Sequence, residues 1–207
     1  MENAVEDKIR HIKRTFHLFM NGVTSRSMRD KGLDYKINWG VPLMQLRTMA
    51  QEYGKDYDLA VGLWTNDIRE CKILATMIMP FGDMSRSLAE DWMKHTKSVE
   101  IIEMCALNLF QYMDDAQSLA YGWLQSDNDS FRLCACHILN RLLIKGLTPD
   151  DSDAESILND ISVLFASNNM SLKHAAVNCL GRLSQLNETW TKRVEDTAQH
   201  LNLDIFQ

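Results

Sequence analysis

The sequence predicts an all-α chain built from repeated helix pairs, and three observations carry that reading. Apolar residues recur at helical spacing almost throughout, as in Leu43, Leu46, Met49 and Ala50 or in Ile101, Met104, Cys105 and Leu107, while no segment sustains strict alternation. The composition, 45% hydrophobic and 24% charged with three prolines and nine glycines in 207 residues, is that of a globular chain, neither turn-rich nor disordered. The stretch "LWTNDIRECKILATMIM" at 63–79 is echoed by "WLQSDNDSFRLCACHIL" at 123–139 and by "LFASNNMSLKHAAVNCL" at 164–180. Each copy ends an apolar run, inserts a cluster of Asn, Asp, Ser or Thr, and restarts with an apolar residue followed by a cation.

Taken in order, the pattern predicts helices at 4–24, 41–53, 56–65, 67–79, 84–95, 98–112, 115–125, 129–145, 152–166, 170–186 and 189–201. Asp67 with Glu70 and Ser152 with Glu155 are spaced as capping boxes, which supply acceptors for the free N–H groups of a helix start. Pro80 closes one helix, and Pro42 and Pro149 sit where a first-turn proline is tolerated. The acidic run Asp150, Asp151, Asp153 and Glu155 complements a helix N-terminus.

The restarts Ile68-Arg69, Val99-Glu100, Phe131-Arg132 and Leu172-Lys173 are about 31, 32 and 41 residues apart. Such spacing is that of two-helix repeats of the HEAT and armadillo kinds. A single solenoid domain over 1–207 follows, an α-α superhelix in which each pair buries its apolar face on the next. In a curved solenoid the second helices line the concave surface. Arg69, Glu100, Arg132 and Lys173 then fall at equivalent sites there, a basic stripe interrupted by one acid.

The net charge of −6 gives no global attraction to nucleic acid or anionic membrane, so any such binding needs a local basic face. The N-terminal stretch "MENAVEDKIRHIKRTF" has no apolar leader, and uncharged runs such as "ILATMIMPFG" are too short to span a bilayer. A cytoplasmic location and no membrane partner are expected. Five cysteines without a secretory leader read as reduced, buried thiols. Cys134 and Cys136, two apart on a helix, point to nearly opposite sides and cannot share a metal. No CxxC, HExxH, Gly-rich phosphate loop or GxSxG is present, so no cofactor or metal is called for.

Four segments together resemble the DNA alkylation repair enzymes, the AlkD-like glycosylases built from HEAT-like repeats. They are "NWGVPLMQLRTMA" at 38–50, a Gly-aliphatic step into a helix with an internal Arg; "LWTNDIRECKILA" at 63–75; "SDNDSFRLCACHIL" at 126–139; and "LKHAAVNCLGRL" at 172–183. The resemblance implies a concave face that binds duplex DNA through the backbone, and excision of an alkylated base without flipping it into a deep pocket. In the family two tryptophans pack around the lesion, an Asp stabilises the developing sugar cation, and an Arg holds a phosphate; an N-alkylated purine is already a cationic leaving group, so electrostatic help suffices without metal.

Carried over residue by residue, the family's Trp-Trp-Asp segment falls on "KSVEIIEMCALNLF" at 97–110. Val99 and Glu100 stand at the tryptophan positions and Met104 at the Asp, with Glu103 one residue away, about 100° around the helix. The Arg position falls on Leu133, beside Arg132, and a further Trp position on Asn178. The resemblance therefore implies the architecture more firmly than the reaction, and Glu103 is the candidate catalytic carboxylate.

The candidate backbone contacts are Arg69, Arg132 and Lys173, since guanidinium forks match phosphate oxygens; the alternative is a solvated helix face with local ion pairs. The segment 25–40 adds Arg26, Arg29, Lys31 and Lys36 against Asp30 and Asp34, with Tyr35 and Trp39 interleaved, either a nucleic-acid hold or a charged loop. Glu100 and Glu103, three apart, could act as a carboxylate pair or form an acidic face. Trp64, Trp92 and Trp123 lie in apolar stripes and are expected in the core. Two functions remain open: a protein that binds duplex DNA and excises alkylated bases with a divergent site, or a catalytically inactive repeat scaffold holding a protein or peptide partner.

Overall fold

The computed structural model describes residues 2–33, 35–96 and 98–203; Asp34 and Lys97 lie outside the described residues. Among the described residues there is no β-strand, and one isolated parallel bridge joins Ile37 to Ile68. The chain divides into two compact units, Met1–Trp92 with Thr96–Met113, and Met93–His95 with Asp114–Gln207.

The first unit contains α1 (Glu2–Leu18), α2 (Gly22–Asp30), α3 (Leu43–Tyr53), α4 (Tyr57–Trp64), α5 (Arg69–Ile78), most of α6 (Arg86–Lys94) and α7 (Val99–Asn108). Helix α1 packs on α4, α4 on α5, and α5 lies between α3 and α7. The inward stripe of α1, Ile12 and Phe16, is wholly buried, as are Leu59, Leu63, Ile73 and Leu74. Trp64 and Trp92 stack face to face at 3.9 Å, with Lys72 Nζ 4.4 Å from the Trp64 ring centroid. Both tryptophans are core, as their positions in apolar stripes predict.

The second unit contains α8 (Ala116–Leu124), α9 (Asp129–Ile144), α10 (Asp151–Val163), α11 (Met170–Ser184) and α12 (Glu188–His200). Helix α9 packs against α8 and α11, and α11 against α9, α10 and α12, so α9 and α11 form one layer and α8, α10 and α12 the other. The repeated polar clusters fold alike. In Ser126-Asp-Asn128-Asp-Ser130 the Ser126 Oγ accepts the Asn128 N–H (3.2 Å), and Asn128 Oδ1 caps α9 by accepting the Ser130 N–H (2.8 Å). In Ser167-Asn-Asn169-Met-Ser171 the same bonds recur at 3.0 and 3.1 Å at the head of α11. The sequence repeat is thus a repeated helix start, in which side-chain oxygens satisfy N–H groups that a helix leaves open. All five cysteines are buried and unbridged.

The structure corrects several expectations. The helix foreseen at 4–24 ends at Leu18, and a second helix, α2, occupies part of the segment 25–40. Asn21 decides the break: its Oδ1 accepts the Thr24 N–H at 3.0 Å and starts a new helix, although Phe19 and Met20 continue the apolar run. Neither capping box forms. Glu70 faces away from the start of α5, whose first residue follows Ile68, and α10 begins after Asp150 without a side-chain cap. Pro42 stands at the N-cap of α3, and Pro149 one residue before the N-cap of α10. The helix foreseen at 98–112 ends at Asn108, followed by a 3-10 turn at Phe110–Tyr112.

Gly40 closes the first unit around α2. Its φ is +69°, and an added Cβ would fall on the Asn21 carbonyl oxygen and 2.8 Å from the Ser25 N. Gly40→Ala is expected to cost at least about 2 kcal/mol, from the left-handed backbone and the clash together, read as a lowered urea midpoint.

Candidate nucleic-acid interface

The first turns of the second helices carry the residues that the repeat places in register, and the two units use them differently. In the first unit Arg69 is 3% exposed. Its Nε and Nη2 donate to Glu100 Oε2 and Oε1 at 2.8 and 2.6 Å, a two-pronged ion pair between α5 and α7. Its Nη1 donates to Glu70 Oε1 and to the Val41 carbonyl, both at 3.3 Å. Glu70, wholly buried, accepts the backbone N–H groups of Trp39, Gly40 and Val41 at 3.3, 3.0 and 3.2 Å. Tyr35 Oη donates to Glu100 Oε2 at 3.1 Å and lies 2.6 Å from Ser98 Oγ. Burial lowers the Arg69 pKa, but the Glu100 and Glu70 carboxylates outweigh it and hold the group above its ordinary value. Burial also raises the Tyr35 phenol.

Arg69 therefore spends its guanidinium donors inside the protein, and a phosphate has no access to them. The expected carboxylate pair is divided as well: Glu100 is committed to Arg69 and Tyr35, while Glu103 faces outward from α7. Partial burial first, and the Glu100 charge second, push the Glu103 carboxyl above its ordinary range. Met104, at the family's Asp position, has its sulfur 3.7 Å from Asn108 Nδ2. Arg29 and Lys36 are both exposed; Arg29 Nη2 donates to Ser25 Oγ at 3.0 Å.

In the second unit the same register position is occupied without a counterpart of Glu100. Arg132, on the first turn of α9, is partly exposed; Asp127 Oδ1 and Asp129 Oδ1 stand at 3.8 and 4.0 Å from its terminal nitrogens, and its Nε is buried without a hydrogen-bond partner. Lys173 holds the matching place on α11 and is half-buried. Asp129 binds the two starts together, accepting from Ser167 Oγ at 3.2 Å and Asn169 Nδ2 at 3.3 Å. Charge is shared unevenly among the helices. Helices α9 and α11 carry Arg132, Arg141, Lys173 and Arg182 against Asp129, whereas α10 carries Asp151, Asp153, Glu155 and Asp160 with no cation; α12 mixes Lys192 and Arg193 with Glu188, Glu195 and Asp196, and Arg193 Nη1 pairs with Asp151 at 2.8 Å.

Between α9 and α11 an open cavity of about 520 Å³ is lined by Asn140, Ile144, Val177, Asn178, Gly181, Arg182 and Gln185. Asn178, where the resemblance places a tryptophan, makes this a wall of amides instead of an aromatic surface. Asn140 Oδ1 is buried without a hydrogen-bond partner. Trp123 is buried, with its ring 5.0 Å from that of Phe131. The acidic run of α10 is visible in the sequence, but the amides have no motif there; only the packing of α9 on α11 gathers them.

Two outcomes follow from these environments. Arg69→Met is expected to cost about 3–5 kcal/mol in urea unfolding, since it leaves buried carboxylates without their cation, and Arg69→Lys should rescue it poorly because an ammonium cannot fork. Burial lowers the His137 pKa on α9 from 6.5 to about 4. The unfolded chain binds this proton more readily, so the stability it contributes is complete above pH 6.5 and falls as pH drops from there through about 4; an NMR titration of the ring should show the depressed midpoint.

The family model of the DNA alkylation repair enzyme matches residues 8–201. No curated protein matches the chain. Among solved structures, one described as "a new family of proteins related to the HEAT-like repeat DNA glycosylases with affinity for branched DNA structures" superposes with a TM-score of 0.81, covering 93% of this chain and 82% of that one at 15% identity. At that identity the likeness shows a shared fold, and with it the HEAT-like architecture that the repeat predicts. Among the described residues, no helix is long and apolar enough to cross a membrane. By its match over nearly the whole chain, the protein belongs to the DNA alkylation repair enzyme family.

Proposed function

We propose that the protein binds duplex DNA through its phosphates, with Arg132 and Lys173 on the first turns of α9 and α11 as the principal contacts and Arg29 and Lys36 as further ones. The observation that carries this reading is the division of charge in the second unit: in a chain of net charge −6, α9 and α11 are basic and α10 wholly acidic. The Arg132 side chain is partly exposed and its terminal nitrogens are only distantly paired, with Asp127 and Asp129 at 3.8 and 4.0 Å, so they are suited to an incoming phosphate oxygen. Arg69 has no part in it. The affinity for branched DNA in the description of the structural neighbour makes a branched duplex a natural second probe.

Excision of an alkylated base is the second reading, and the outward carboxyl of Glu103 is what favours it. As a carboxylate it would stabilise the positive charge developing on the deoxyribose as a cationic purine departs. The pair Val99 and Glu100 supplies no aromatic clamp, and Glu100 is already engaged. DNA binding is therefore the function proposed first, with base release tested separately.

Arg132→Glu combined with Lys173→Glu is expected to weaken duplex binding by at least tenfold and to reduce the slope of log affinity against log salt by about 2. Salt-insensitive binding, or binding that survives the double charge reversal, would sink the reading and favour a protein or peptide partner. Single-turnover release of base from methylated duplex reads the chemistry: if Glu103 acts, Glu103→Gln should lose roughly a hundredfold in rate with DNA affinity unchanged.

A further inference from the structure

The turn between α1 and α2 joins outward apolar side chains to a concentration of arginine. Leu18 and Val23 are 79% and 82% exposed, with Phe19 and Met20 exposed between them. The flanks bring Arg10 and Arg14 from α1 and Arg26, Arg29 and Lys31 from the α2 side, all exposed, against Asp30 and against Asp7, which pairs with Arg10 at 2.9 Å. On α1, Arg10, Arg14 and Leu18 follow one another at four-residue steps and share the face opposite the buried Ile12 and Phe16. On α2, Val23 and Arg26 likewise share a face. The apolar group is thus bordered by cations on both sides.

The turn is held rigidly. Phe19 N–H donates to the Phe16 carbonyl at 3.1 Å, Asn21 N–H to the Trp39 carbonyl at 2.9 Å, and Ser25 Oγ to the Asn38 carbonyl at 2.6 Å. Trp39 packs against the Phe16 and His17 rings, at 5.5 and 4.9 Å between centroids. Four apolar side chains pinned outward on a braced turn are costly in water unless a partner covers them.

We propose that this turn is a wedge for nucleic acid at a break in base stacking: Phe19, Leu18 and Met20 cover the exposed face of a base pair or an unpaired base, and Arg14, Arg26 and Arg29 hold the adjoining phosphates. The inference rests on the DNA-binding reading above and assigns it a second contact with its own specificity. Apolar wedges flanked by cations are a recurrent means of engaging unstacked bases, and a guanidinium serves phosphate better than an ammonium does. The charge argues against a second copy of the chain, because a two-fold contact would bring these arginines against their own equivalents. The shape argues against a membrane: the apolar stripe of α1 is spent on the core, and only the corner is left, not the long apolar face that an interfacial helix presents.

The test uses the full chain with two labelled probes, a dumbbell duplex closed by loops at both ends and the same dumbbell carrying a two-nucleotide gap flanked by 2-aminopurine. The wild type should prefer the gapped probe by about tenfold, the scale of stacking on one or two bases, with a change in 2-aminopurine emission. Leu18→Ser with Phe19→Ser should remove the preference and the emission change, leave affinity for the continuous dumbbell within twofold, and retain the wild-type urea midpoint. Arg132→Glu with Lys173→Glu should weaken both probes alike. Binding of both probes without preference, or a preference that survives the Leu18 and Phe19 changes, overturns the wedge and leaves the DNA-binding reading standing. Failure to bind either probe overturns both. Should the serine variant instead abolish self-association or binding to phosphatidylglycerol vesicles, with gap preference unaltered, the patch is a protein or membrane contact and the wedge is wrong.

Discussion

The cluster of Glu70, Arg69 and Glu100 is the constraint on which the first unit depends. Glu70 is buried without exposure, a costly place for a carboxylate, and it is tolerated because three consecutive backbone N–H groups at 39–41 converge on it and Arg69 lies beside it. Arg69 in turn reaches across to Glu100, so one guanidinium couples the first turn of α5, the first turn of α7 and the segment before α3. Tyr35 joins the same carboxylate from the chain that leads out of α2. The long connection between α2 and α3 is therefore braced by polar contacts where an ordinary loop would lie in solvent, and Gly40 is the residue that permits its close approach to α2.

The same repeat position serves opposite ends in the two units. In the first, successive repeats place Arg69 and Glu100 side by side, and the pair consumes itself as structure. In the second, successive repeats place Arg132 and Lys173, two cations that cannot neutralise each other. A solenoid needs complementary packing between neighbouring helices, but it does not need charge complementarity at their exposed starts. The acids near Arg132, Asp127 and Asp129, come from its own helix start and not from the next repeat, and the acidic α10 meets its cation in Arg193 of α12, which pairs with Asp151.

How far the site was legible in the sequence follows from these particulars. The register of Arg69, Glu100, Arg132 and Lys173 is visible in the repeat, but burial is not, because a charged residue after a helix start reads alike whether it faces water or a neighbour. A local spacing rule makes Glu70 half of a capping box, whereas the backbone N–H groups it accepts from lie 29 to 31 residues away in sequence. The break at Asn21 was hidden because Phe19 and Met20 extend the apolar run, although both point outward; periodicity reports apolarity, not which side is covered.

What the sequence by itself determined is the class of the fold, the succession of most helices and the repeat that stacks them, since these rest on local periodicity and on helix-start chemistry that each short segment carries within itself. Asn128 and Asn169 show this most directly, as two copies of one motif that fold into the same hydrogen bonds. What only the tertiary structure decided is which charged residues are spent and which remain. Pairing depends on what the next helix brings within about 4 Å of a side chain, and that distance is set by packing between segments thirty or forty residues apart.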